Sequence, residues 1–189
     1  MNRPDIFTDP PNNRFIITGG PGSGKTTLIE KLQSKGYAGF PEIARQLISQ
    51  GIAPSFSPDK RVSSQFFDII LSQRILQHQQ IGVAKIAFFD RGIPDSLAYF
   101  NYHKKKAPDI LLEALKNFPY NQHVFVAPPW EEIYFSDAIR TETFSEAQKL
   151  YEIITEAYKS LGYLLVELPK STLESRLSAV LDIIENRPQ

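Results

Sequence analysis

The run Gly19-Gly20-Pro21-Gly22-Ser23-Gly24-Lys25-Thr26-Thr27 constrains this chain more than any other feature of its 189 residues. Glycine inside a regular element costs roughly 0.5–1 kcal/mol relative to alanine, so a cluster of them needs a partner that approaches the backbone itself. The spacing Gly19-x-x-x-x-Gly24-Lys25-Thr26 fits a phosphate-binding loop. Bare amides along Gly19 to Thr27 cradle phosphate oxygens, Lys25 reaches the β- and γ-phosphates, and the Thr26 hydroxyl meets Mg²⁺. A glycine-rich turn is the plainer reading, and the context argues against it. Arg14 to Thr18 is a short β-rich run, and Thr27 to Leu32 opens a helix whose N-terminal dipole favours an anion.

A chain of this length with 42% hydrophobic residues buries one substantial core, so a single domain is expected over residues 14–189 behind a polar lead-in at 1–13. Lys plus Arg and Asp plus Glu stand at 21 each, which leaves no global field to draw in nucleic acid or an anionic membrane. Zero cysteines exclude disulfides, thiolate zinc sites and a cysteine nucleophile, and suit a reducing, cytoplasmic setting. The lead-in carries no apolar segment of the kind a secretory signal or a membrane span needs.

Glycines at positions 36, 51, 82 and 162 follow helix-like segments and read as left-handed helix stops. Helix starts are marked by Ser57-Pro58 and by two capping boxes, Thr143-x-x-Glu146 and Ser171-x-x-Glu174. Apolar stripes at helical spacing run through Val62, Phe66, Ile69, Ile70 and Leu76, through Ala147 to Leu161, and through Leu173 to Ile184. These are core faces. Short apolar strands are expected at Phe15–Thr18, Ala38–Phe40, Ile86–Asp90, His123–Ala127 and Tyr163–Leu168. Their alternation with helices predicts an α/β fold of the P-loop NTPase kind, three layers around a five-stranded parallel sheet, with ligands beyond the carboxyl ends of the strands.

Residues suited to chemistry fall at those strand ends. Ile86-Ala87-Phe88-Phe89-Asp90 closes an apolar strand with a carboxylate, the pattern by which an acid holds Mg²⁺ directly or through water. Arg91 beside it offers a planar, permanent charge to a phosphate, with a structural ion pair as the competing reading. Asp95 serves equally well as a first-turn helix acid or as a site residue. After the second strand, Pro41 suits a first helical position, and Glu42 and Arg45 lie three apart on one helix face. Beyond the fourth strand, Pro128 to Glu142 is polar and arginine-bearing and resembles the lid of small-molecule kinases, which closes over the phosphates. That resemblance implies a lid near 128–144 with Arg140 as its arginine, against the plainer reading of a surface helix with ion pairs. Trp130 and Tyr134 read as the packing of a hinge. The run His103-Lys104-Lys105-Lys106 reads as a solvated helix end.

The stretches GGPGSGKTTL, FPEIARQLI, FFDRGIPDSLAYF and FSDAIRTETFSEAQKLYEIITEAYKSLGY together resemble the small kinase-like AAA-type ATPases, whose relatives include the ribosylnicotinamide kinase module of the bacterial NAD regulator. The plan is also similar to that of deoxynucleoside kinases, although Asp-Arg-Gly stands here where Glu-Arg-Ser is commoner there. By that resemblance Glu42 is the base on the acceptor hydroxyl, Asp90 contacts magnesium, and Arg91 steadies the transferring group. The resemblance implies ATP and Mg²⁺ as cofactors, catalytic roles for Lys25, Glu42, Asp90, Arg91 and Arg140, and an acceptor site including Glu42, Arg45 and Arg91.

Two functions stand at this point. One is phosphoryl transfer from ATP to a small, nucleoside-like acceptor. The other is a regulatory ATPase module acting on a protein partner. A polynucleotide kinase is a weaker third, since it calls for a basic groove. The missing Asn-Lys-x-Asp signature and the Asp90-Arg91-Gly92-Ile93 sequence favour ATP over a GTPase switch.

Overall fold

The computed structural model describes residues 12–52, 64–82, 85–134 and 143–186. Strands β1 (Arg14–Gly19), β2 (Ala38–Phe40), β3 (Ala87–Asp90), β4 (His123–Ala127) and β5 (Leu164–Glu167) form one parallel sheet in the order β2-β3-β1-β4-β5. The helices are α1 (Lys25–Ser34), α2 (Ile43–Ser49), α3 (Ser64–Gln79), α4 (Ile93–Tyr102), α5 (Asp109–Asn117), α6 (Phe144–Ser160) and α7 (Leu173–Glu185). A 3-10 turn spans Glu131–Ile133.

Strand alternation divides the core between the two faces of the sheet. Phe15, Ile17, Phe88, Phe125 and Ala127 point to the side covered by α1 and α7, where they meet Leu28, Leu32, Leu177 and Val180. Ile16, Phe89, Val124 and Val126 point to the other side and meet residues of α3 to α6, among them Leu71, Tyr99, Leu111, Ile154 and Tyr158. Each such aliphatic or aromatic side chain contributes roughly 1.5–3 kcal/mol by leaving water. The edge strands β2 and β5 are half-exposed, whereas β1, β3 and β4 are buried on both faces.

The strand expectations hold to within a residue or two at each end, and the three-layer parallel architecture is the observed one. Gly36, Gly51 and Gly162 take the left-handed conformation beyond their helices. Gly82 does not, because α3 has already ended at Gln79. The Thr143 box forms, with the Thr143 hydroxyl accepting from the Glu146 amide and the Glu146 carboxylate accepting from the Thr143 amide. The second box does not form. Thr172, not Ser171, caps α7 and accepts from the Ser175 amide at 3.3 Å. Pro41 stands two residues ahead of the first helical position expected for it, since Glu42 is the N-cap of α2 and Ile43 its first residue.

In α3 the apolar stripe is rotated from expectation. Leu76 is 49% exposed, while Arg74 and His78 join Phe67, Ile70 and Leu71 on the buried side. Arg74 is satisfied there by the Ser96 hydroxyl and His78 by the Pro119 carbonyl. Ser57-Pro58, Val62 and Arg140 lie outside the described residues, as do residues 135–142 of the expected lid. Lys104 to Lys106 are exposed beyond the end of α4. No helix among the described residues is long and apolar enough to cross a membrane.

Candidate functional site

The loop from β1 to α1 can only be built with glycine at its tightest points. Gly19 has φ 138°, and a Cβ there would collide with the Ala127 carbonyl oxygen of β4. Gly22 has φ 70°, and a Cβ there would stand 2.8 Å from the Tyr134 ring, which in turn packs edge-on against Phe144. The loop is held closed from inside. The Ser23 hydroxyl donates to the Gly20 carbonyl at 2.8 Å, and the Lys25 ammonium donates to Gly20 O at 2.7 Å and Ser23 Oγ at 3.3 Å. Helix α1 starts at Lys25 with no acidic residue in its own first turn, and its N-terminal partial charge faces the loop.

Next to the loop, the end of β3 brings in Asp90 and Arg91. Asp90 Oδ2 accepts from the Thr26 hydroxyl at 2.9 Å, while Oδ1 is buried with no hydrogen-bond partner. Burial pushes the Asp90 carboxyl above its ordinary value, against the opposing pull of the Lys25 ammonium. Arg91 sits at φ 70°, a left-handed conformation that costs a side chain-bearing residue about 1–3 kcal/mol and therefore must be held by its surroundings. Those surroundings are visible. Its amide donates to Ile17 O at 3.1 Å, its Nε to Glu42 Oε1 at 2.8 Å, and its Nη1 to Asp95 Oδ1 at 3.2 Å. Burial disfavours the guanidinium charge, but the carboxylates of Glu42, Asp95 and Asp90 outweigh it and hold the Arg91 pKa above its usual value.

Asp95 proves to be the anchor of this group, and it also performs the first-turn role that the sequence offers it. It is wholly buried and accepts from Thr18 Oγ1 at 2.6 Å, Tyr158 OH at 2.6 Å and the Gly92 amide at 2.8 Å, besides Arg91. Burial alone raises such a carboxyl, yet Arg91, Arg74 and these donors together bring it below the usual carboxylate value.

Part of this group borders one cavity of about 700 Å³, lined by Pro21 to Thr27 together with Glu42, Arg45 and Arg91, while Asp95 lies behind it. The expected site residues Gly22, Ser23, Gly24, Lys25, Thr26, Glu42, Arg45 and Arg91 are thus brought together. Asp90 lies behind Thr26 and reaches the same place through it. Trp130, Ile133, Ser171 to Leu173 and Arg176 line it as well. Arg176 was not singled out among the candidates. Its signal in the sequence is a charge interrupting the apolar stripe Leu173, Leu177, Val180 of α7, and the structure buries it to 3% exposure. Trp130 lies under its guanidinium, 5.0 Å from ring centroid to Cζ.

Comparison with known proteins agrees with this geometry. A family model described as an AAA domain matches residues 14–176. No curated protein matches the chain in sequence. Among solved structures, thymidylate kinase from Candida albicans superposes with a TM-score of 0.62 at 17% identity, covering 93% of this chain and 92% of that one. Deoxyadenosine kinase from M. mycoides with bound dATP gives 0.58 at 14% identity, covering 92% and 100%. NadR protein in complex with NAD and AMP-PNP gives 0.66 at 14% identity and covers 93% of this chain but 50% of that one. The chain thus spans half the length of NadR. At these identities the likeness establishes the fold, that of the P-loop kinases, and not the substrate.

Proposed function

The chain belongs to the AAA-domain family, and on that premise we propose that it is a cytoplasmic phosphotransferase moving the γ-phosphoryl group of ATP, with Mg²⁺, to a small-molecule acceptor of nucleoside-like size. The observation that carries this reading is the convergence of Thr26, Asp90, Arg91 and Glu42 beside the glycine loop, on the β2–β3 side of a single cavity. Phosphoryl transfer is chiefly positioning and charge stabilisation, and a loop of amides, a lysine, an arginine and two carboxylates supply both.

In this reading the amides from Gly19 to Thr27 hold the phosphates and Lys25 exchanges its contacts with Gly20 and Ser23 for phosphate oxygens. Glu42 accepts the proton of the acceptor hydroxyl, ion-paired meanwhile to Arg91, which steadies the group in transit. Arg45 lies on the acceptor wall. Arg140 is proposed as the lid arginine. Magnesium suits the pair Thr26 and Asp90, because it prefers hard oxygen donors and Asp90 Oδ1 is a buried carboxylate oxygen with no other partner. When bound, the ion supplies charge neutralisation on the phosphates.

The test is ATP consumption with Mg²⁺ across nucleosides, nicotinamide riboside, nucleoside monophosphates and sugars, with the acceptor-free rate alongside. One compound class is expected to raise the rate severalfold or more. A rate unmoved by every compound transfers the assignment to a regulatory ATPase acting on a protein partner. Lys25→Ala is expected to abolish turnover while leaving the fold intact; full activity in a folded variant removes the phosphate-loop reading.

A further inference from the structure

We propose that Arg176 is a phosphate ligand of the bound nucleotide, reaching it from the β4–β5 flank of the loop and tying the C-terminal helix to nucleotide occupancy. The inference rests on the reading of the cavity as a nucleoside triphosphate site.

Arg176 belongs to α7, yet its Nη1 donates to the Ser23 carbonyl inside the loop at 2.6 Å, 153 positions away in sequence. Its Nε donates to Pro169 O at 2.9 Å, and the Trp130 ring lies along the guanidinium. These contacts place it on the cavity wall. None of its partners carries a negative charge. Among the described residues no carboxylate pairs with it, and its Nη2 is buried with no hydrogen-bond partner. A buried cation so placed is held at a cost unless an anion approaches it. Arg91, the other buried arginine of this cavity, has two carboxylates. Arg176 has a cavity instead.

The sheet order decides which part of the ligand this is. Asp90, Arg91 and Glu42 follow β3 and β2 on one side of β1, while Trp130 and Arg176 follow β4 and β5 on the other. A nucleotide that presents its terminal phosphate to the first group therefore presents the phosphate nearer its nucleoside to Arg176. A guanidinium suits that position, because it keeps its charge when desolvated and still has a donor to spare.

Titration of the protein with Mg-ADP by calorimetry, at several salt concentrations, tests this with Arg176→Gln and Arg176→Lys. A charge-assisted contact is worth a roughly 10- to 100-fold weakening in Arg176→Gln. The steepness of the salt dependence should fall with it, and Arg176→Lys should recover part of both. A role confined to bracing Ser23 and Pro169 leaves the salt dependence as it was. In the unaltered protein the side-chain ¹⁵N resonance of Arg176 should move on Mg-ADP addition, a measurement that holds even if Arg176→Gln fails to fold. Binding by Arg176→Gln within twofold of the unaltered protein, an unchanged salt dependence, or an unmoved resonance overturns the inference while the nucleotide reading stands. Absence of Mg-ADP and Mg-ATP binding in the unaltered protein overturns both.

Discussion

Asp95 illustrates how much one buried carboxylate organises. Its oxygens take hydrogen bonds from β1 through Thr18, from α6 through Tyr158, from the start of α4 through Gly92, and from Arg91 itself. It is thereby the reason Arg91 can hold a left-handed backbone and still present its Nε to Glu42. Asp95→Asn retains the shape and removes the charge, leaving Arg91 with one fewer carboxylate in a buried setting. Removing one partner of a buried pair costs about 3–5 kcal/mol. Tyr158→Phe deletes a single donor to the same carboxylate and should cost about 1.5 kcal/mol. Urea unfolding of both variants checks the order; an Asp95→Asn protein no less stable than Tyr158→Phe would show that Asp95 does not act through the charge of Arg91.

Helix α3 shows where element-level reading of a sequence succeeds and where it stops. Strands were legible because a buried parallel strand is apolar almost throughout, as β1 and β3 are, and the loop was legible because few other functions tolerate so many glycines. The buried face of α3 was not, since two of its positions hold Arg74 and His78, whose polar atoms are satisfied by Ser96 and Pro119 far off in sequence. Arg176 was missed for the same reason. A hydrophobic stripe cannot record a polar residue whose partner comes from elsewhere, and neither can it tell Ser171 from Thr172 as the cap when both carry hydroxyls. His78 yields a measurable consequence. Burial lowers its pKa from 6.5 to about 4, with Arg14 pressing the same way and the Pro119 carbonyl opposing. Its ring meets Phe118 and Tyr120 edge-on. The unfolded chain then binds more protons than the folded one between pH 6.5 and about 4, so this residue's contribution is present above that window and is lost as pH falls through it. The melting temperature of His78→Gln is expected to depend less on pH across the window than that of the unaltered protein. Equal slopes would assign the acid sensitivity to other groups.

At the scale of the whole molecule, the order β2-β3-β1-β4-β5 puts the glycine loop on the central strand and gives its two flanks different neighbours. Glu42, Asp90 and Arg91 reach it from one flank, and Trp130 and Arg176 from the other. If the reaction lies on the first flank and nucleotide retention on the second, substitutions should separate kinetically according to the strand they follow. Glu42→Gln removes a group needed as the acceptor proton leaves, so kcat should fall by roughly 100-fold or more with the KM for ATP near normal, the pattern of an interaction made in the transition state. Trp130→Ala removes the surface under Arg176, so the KM for ATP should rise while kcat changes little, the pattern of binding shared by ground and transition states. Lys25 stands between the flanks, and its loss should damage both parameters. Steady-state kinetics of these variants with the acceptor that the panel identifies decides the matter. Should Glu42→Gln raise the KM for ATP and spare kcat, the carboxylate would belong to nucleotide or metal retention, and the division of labour across β1 would have to be abandoned.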